Sequence, residues 1–183
     1  MPAVGLSTFD LERDLSLVAA WVRRPHVARW WGDPEQAIAA VRQHPVATEA
    51  LIDIDGRPVG FVCWQTLPRE ELVAAGLGDL PDDLVDIDIM IGEPDTLGHG
   101  IGPAALGHVL ARLRGEGVRL VGIAAAMANR RALRAYEKAG FHPFRDFQEG
   151  GDDYRYLLQS LDPAVEPPVA ADSAAAPPPD CAR

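Results

Sequence analysis

The chain has 183 residues, 48% of them hydrophobic and 24% charged, enough for one core of ordinary size. Its formal charge of −10 at pH 7 sets it against a nucleic-acid backbone and suits a cationic small molecule. No apolar run has the length of a membrane span, and the start MPAVGLSTFDLERDL lacks the basic flank and apolar stretch of a secretion signal, so a cytoplasmic protein that binds neither membrane nor nucleic acid is expected.

In chain order, VGLSTF alternates like a first strand. Asp10 is placed to cap a helix with Leu11, Leu15, Val18 and Val22 on one face. In DPEQAIAAVRQH, Asp33 is the cap and Pro34 the first residue of a second helix. VATEALIDIDGRPVGFVCWQTL holds two apolar strands around Asp55-Gly56, a dipeptide that favours a tight hairpin. A loop rich in Asp, Glu and Gly follows from Pro68 to Asp83. VDIDIMI then sends Asp86, Asp88 and Met90 to one face and Val85, Ile87, Ile89 and Ile91 to the other. It runs through Gly98, Gly100 and Gly102 into a helix ended by Gly115 and Gly117. VRLVGIAAAM is a buried strand, and NRRALRAYEKAG is a helix capped by Asn129 and stopped by Gly140. FHPFRDFQ and DYRYLLQS close the domain as two strands around EGGDD.

This order predicts an α/β domain over residues 1–161, with a strand–helix–strand unit preceded by an antiparallel hairpin. From Asp162 the composition changes to DPAVEPPVAADSAAAPPPDCAR, which has no apolar periodicity and reads as a disordered tail over 162–183. Cys63 and Cys181 have neither metal nor redox spacing, and the five histidines are scattered without an HExxH pattern, so no metal site is expected.

A strand, a glycine loop and a helix make an anion site: the first N–H groups of the helix are unpaired and carry partial positive charge, and glycines let a phosphate approach the backbone. A Walker A loop needs a lysine and Ser/Thr after its last glycine, and GHGIGPAA has neither. A dinucleotide fingerprint would need an acidic residue at the end of the next strand, where this chain has VGIAAAM. Coenzyme A pyrophosphate is the third reading, and a glycine turn without ligand the fourth.

With NRRALRAYEKAGF, Asn129 to Phe141, the chain resembles the GCN5-related N-acetyltransferase (GNAT) superfamily. The hallmark of that family is a strand, a Gln/Arg-x-x-Gly-x-Gly/Ala loop, a helix, a strand, and a helix that starts at Asn and ends Tyr-Glu-Lys-x-Gly-Phe. The loop here is LGHGIG, with Leu97 in place of the usual Gln or Arg. The resemblance covers about residues 4–158. Within the family, HVARWWGD, DIDIMIGEPDTLGHGIG and RAYEKAGF are most similar to aminoglycoside 6′-N-acetyltransferases, although acyltransferases of siderophore biosynthesis share a similar Trp-Trp stretch.

The resemblance implies a mixed, splayed central sheet flanked by helices, with acetyl-CoA as co-substrate and no metal. It implies that backbone N–H groups near Met90 and Ile91 line the pantetheine arm and thioester, that His99, Gly100 and Gly102 offer N–H groups to the pyrophosphate, and that Asn129 binds the cofactor as well as capping its helix. Tyr136 would protonate the leaving thiolate. Asp88 would bind the ammonium and receive its proton. Asp86 would be a second cation contact, and Trp31 and Asp152 would meet the acceptor. The implied activity is acetylation of an aminoglycoside amine, the 6′-amine, conferring resistance. An acyltransferase for a siderophore hydroxylamine or other small amine, a protein or peptide N-acetyltransferase, and a non-catalytic CoA-binding module are the alternatives; the presence of both Tyr136 and Asp88 argues against the last.

Overall fold

Side-chain caps and glycine turns set the element boundaries in the computed structural model, which describes residues 3–43 and 48–164. The remainder of the expected tail, with Cys181, lies outside the described residues. Strand β1 (Val4–Thr8) leads into helix α1 (Leu11–Val22), where Asp10 accepts the Arg13 N–H at 2.9 Å and its own N–H donates to Asp14 at 2.9 Å. Helices α2 (Pro25–Trp31) and α3 (Pro34–Gln43) follow, and Asp33 caps α3 by accepting from the N–H groups of Glu35 and Gln36. The expected hairpin is β2 (Glu49–Ile54) and β3 (Arg57–Thr66), joined where Asp55 and Gly56 both take positive φ. After a short helix α4 (Arg69–Ala74) come β4 (Val85–Ile91), α5 (Ile101–Gly115), β5 (Leu120–Ala126), α6 (Arg130–Lys138), β6 (His142–Glu149) and β7 (Asp152–Ser160).

The seven strands form one sheet in the order β1-β2-β3-β4-β5-β7-β6. Every neighbouring pair is antiparallel except β4 and β5. That parallel pair is joined only at Val85↔Val121 and Asp86↔Gly122; beyond Asp86 the two strands part. The expected mixed, splayed sheet flanked by helices is therefore the observed one.

The two faces of the sheet are covered differently. Helices α5 and α6 lie on one face over a continuous apolar core that includes Ile52, Val62, Ile87, Leu106, Val109, Ile123 and Leu157. Each such side chain contributes roughly 1.5–3 kcal/mol by leaving water. The opposite face is shared. Helices α1 to α3 pack on the row Leu51, Phe61 and Met90 of β2 to β4, while Leu72, Leu77, Leu80 and Leu84 of the 67–84 segment pack on Leu120, Phe144 and Leu158.

Three expectations change. Helix α2 occupies what sequence marks only as the turn between two helices. Leu11 of α1 is 43% exposed, because the buried stripe runs through Asp14, Val18, Trp21 and Val22 instead. The Pro68–Asp83 stretch is no plain loop: it contains α4, and leucines lost among its charges anchor it to the sheet.

Candidate active site

The end of β4 is held from outside. The N–H groups of Gly92 and Glu93 both donate to the Val59 carbonyl, at 2.8 and 3.0 Å. The Trp21 indole N–H donates to Glu93 at 2.8 Å, and Arg24 bridges Glu93 (2.7 Å) and the Gly92 carbonyl (2.8 Å). A Cβ at position 92 would overlap the Trp21 ring. With Gly92 bonded to β3, strand alternation turns the Met90 N–H toward β3 and the N–H groups of Ile89 and Ile91 into the gap left by β5.

At the far side of the gap, Gly98 and Gly100 have φ of +84° and +80°, a region that a β-branched side chain avoids. They turn the chain so that the unpaired first N–H groups of α5 face the cleft. A methyl group at position 102 would only just touch the Ala135 side chain, at 4.0 Å, so α6 lies beside the first turn of α5 there. Asn129 caps α6, its Oδ1 accepting the Ala132 N–H at 3.2 Å, and this leaves the amide nitrogen for the cavity that it lines.

One cavity of about 760 Å³ runs through the gap between the parted strands. Of the sequence-predicted residues, Trp31, Asp88, Met90, Ile91, Gly100, Gly102, Asn129 and Tyr136 all line it. His99 is exposed outside this lining, Asp86 stands behind it, and Asp152 is exposed at the β6–β7 turn. The cavity has glycines and helix N–H groups at one end, an apolar passage between strands, and a polar floor at the other, an arrangement that could hold a long phosphate-tailed arm. Arg131, Arg134 and Lys138 of α6 add cations to its lining. Sequence reasoning missed these three, although their i, i+3, i+7 spacing puts them on one side of α6.

The polar floor is acidic. Glu49, Cys63 and Asp88 are register partners across β2, β3 and β4, so their side chains share the face on which Asp86 also lies. Asp88 is open to solvent through the cleft mouth, yet protein surrounds it on the other sides, and this displacement of water raises its carboxyl above the usual range. Burial pushes the Asp86 carboxyl well up, and the neighbouring Asp88 charge adds to this; a 2.6 Å hydrogen bond from the Tyr156 hydroxyl opposes both. Desolvation raises the Glu49 carboxyl to about 7, and its Oε1 is buried with no hydrogen-bond partner. The Cys63 thiol is pushed well up by burial and by the charges of Asp88, Glu49 and Asp86, which keeps it a neutral thiol rather than a nucleophile. Burial, then Asp88 and Asp86, likewise raise the Tyr136 phenol, so it remains a proton carrier at neutral pH.

The acidic Pro68–Asp83 stretch looks different from its sequence. Asp79 is clamped by two 2.7 Å bonds from Arg145, Asp82 pairs with Arg69, and Asp83 pairs with Arg119. Sequence shows these aspartates as a negative loop, but their partners come from the start of α4 (Arg69), the residue before β5 (Arg119) and strand β6 (Arg145). Tyr156 and Glu49 were equally invisible, because each meets the site only through strand pairing.

The family described as acetyltransferase (GNAT) domain matches residues 10–148. The aminoglycoside N(6′)-acetyltransferase type 1 of Klebsiella pneumoniae is 26% identical over 147 residues, spanning 71% of this chain and 70% of that protein; the Serratia marcescens protein of the same name matches equally. Among solved structures, the aminoglycoside acetyltransferase AAC(6′)-Ib in complex with coenzyme A superposes with a TM-score of 0.69 at 21% identity, covering 86% of this chain and 95% of that one. The aminoglycoside N(6′)-acetyltransferase of Legionella pneumophila gives 0.66 at 17% identity, covering 88% and 94%.

Proposed function

This chain belongs to the GNAT acetyltransferase family, and from that premise we propose that it transfers the acetyl group of acetyl-CoA to an amine of a cationic small molecule, an aminoglycoside at its 6′-amine, as a cytoplasmic resistance enzyme. The observation that carries the reading is the position of Asp88: an exposed carboxylate at the point where β4 and β5 part, in one cavity with Tyr136 and the α5 N-terminus.

Acetyl-CoA supplies the activated acetyl group. The chain would hold it by the first N–H groups of α5 with Gly100 and Gly102, by the Asn129 amide, and by the cations Arg131, Arg134 and Lys138 around its phosphates. Ile89 and Ile91 direct N–H groups into the gap and are the main-chain donors available to a thioester oxygen; Ile91 serves this better than Met90, whose N–H turns toward β3. On the acceptor side, Asp88 binds the ammonium and takes its proton, helped by a pKa nearer that of the amine than a fully solvated aspartate would have. Tyr136 donates its proton to the departing sulfur; desolvation keeps that proton in place until negative charge appears. Trp31 and Trp30 form the wall that an acceptor ring would meet.

Pairing of Asp79, Asp82 and Asp83 with arginines favours a second reading, an acceptor carrying fewer positive charges, such as a siderophore hydroxylamine. A thiol-release assay with acetyl-CoA against kanamycin, a polyamine, a hydroxylamine and a basic peptide separates the readings. Kanamycin should give a kcat/KM at least about tenfold above the others, a preference worth about 1.4 kcal/mol. A preference for the hydroxylamine would replace the aminoglycoside with the second reading, and tight CoA binding without release would leave a binding module.

A further inference from the structure

Tyr156 stands outside the cavity, on β7, two strands away from β4. It is buried, and its hydroxyl donates to Asp86 Oδ1 at 2.6 Å across 70 positions of sequence. The contact depends on position 122. Gly122 of β5 pairs with Asp86 on one side and lies under the Tyr156 ring on the other, and a Cβ there would overlap the hydroxyl. Three strands thus combine to aim one phenol at one carboxylate at the spot where β4 and β5 begin to part.

The surroundings of Asp86 give this bond its weight. Asp88 lies on the same face two residues on. Gln65 faces Asp86 from β3, Cys63 and Glu49 carry the row to β2, and Tyr136 of α6 feels the charges of both aspartates. Among the described residues, no Lys, Arg or His forms an ion pair with either carboxylate. Two carboxylates this close, without a cation, disfavour each other's ionisation, and a donor fixed on one of them is what lets the pair carry negative charge.

We propose that Tyr156 is a positioning residue for the acceptor site: donating over Gly122, it holds the Asp86 carboxylate beside Asp88 so that the two act as one pair on the acceptor's ammonium. Tyr156 touches neither substrate nor cofactor and acts through Asp86 and then Asp88. The proposal rests on the acetyltransferase reading for its consequence in turnover, while its physical core, the ionisation of the pair, is measurable in the free protein.

The test is a 13C NMR titration of the aspartate carboxyls in the full chain, wild type and Tyr156→Phe, alongside the pH profile of kcat/KM. A hydrogen bond to a charged group is lost while the ring and its packing remain, so the last deprotonation of the Asp86–Asp88 pair should move up by about one pH unit. The acid limb of kcat/KM should move by the same amount, with the KM for acetyl-CoA unchanged. Asp86→Asn is the second variant: it removes the neighbouring charge, so the Asp88 midpoint should fall, and adding Tyr156→Phe to it should shift nothing further. A pair midpoint unmoved in Tyr156→Phe, or an Asp88 midpoint unmoved in Asp86→Asn, overturns the proposal. Shifted carboxyls in a protein that acetylates none of the acceptors tested would retain the hydrogen-bonded pair but overturn its assignment to acetyl transfer, so the two failures are distinct.

Discussion

The two faces of the sheet divide the work of the molecule. On the α5/α6 face, apolar side chains form one continuous core, and what reaches the cavity besides Tyr136 is mostly main chain and cation: the α5 N-terminus, the Asn129 amide, and the basic side of α6. On the other face the cover is split between α1–α3 and the 67–84 segment, and the gap between them leaves Asp88 open, with Asp86, Glu49 and Cys63 behind it. The contrast teaches that, in the proposed function, grip and selectivity would have different physical origins. The grip would come from backbone geometry that a few glycines and one cap dictate. Selectivity would come from side chains that meet only because strands pair in one register.

Three substitutions would break or sharpen that division. The largest effect is expected at Tyr136, the α6 residue proposed above as proton donor. Tyr136→Phe should lower kcat about 100-fold, within the range of a lost general acid, while the CoA dissociation constant measured by calorimetry stays within about twofold. A turnover near wild type would return Tyr136 to the core. Next, Gly100→Val forces a β-branched residue to a φ of +80° and should disturb the grip alone. The KM for acetyl-CoA should rise about tenfold with kcat changed less than about threefold; an equal fall in kcat would mean that the loop also sets the reacting geometry.

The smallest effect belongs to Glu49 on the other face. Its carboxyl is raised to about 7 from an ordinary value of 4.5, so the fold favours the protonated form. That contribution is complete below the ordinary value and is lost as pH rises through about 7. Glu49→Gln cannot ionise and should not show the loss. Because the side chain is only half-buried, water screens the charge, and the melting temperature of the variant relative to wild type should be about 2 °C higher at pH 8 than at pH 4.5. A pH-independent difference between the two proteins would show that Glu49 ionises freely in the folded state.

The same division explains what could be read from sequence. The Asp55-Gly56 hairpin, the Asp10, Asp33 and Asn129 caps, and the glycine entry to α5 depend on residues within a few positions of each other, and local rules are enough to find them. The face shared by Asp86 and Asp88 follows from the period of a strand. The Tyr156–Asp86 bond does not, because it requires β7 to insert between β5 and β6 and a glycine to lie between the partners. The pairing of Asp79 with Arg145 spans 66 positions and ties to β6 a carboxylate that looks free in the sequence. Helix α2 is not legible in the sequence because seven residues beginning with proline, separated from another helix by two residues, show little periodicity.

The indole of Trp21 fills the place that any side chain at position 92 would need, and it grips Glu93. The tip of β4 is therefore fastened from behind, independently of whatever enters the cleft. In the proposed function, the Trp30–Trp31 end of α2 and the inner side of α3 could change in sequence and reshape the acceptor wall, while Trp21, Arg24 and His26 keep the tip of β4 in place. Such a fold can evolve toward new acceptors without having to reinvent its chemistry.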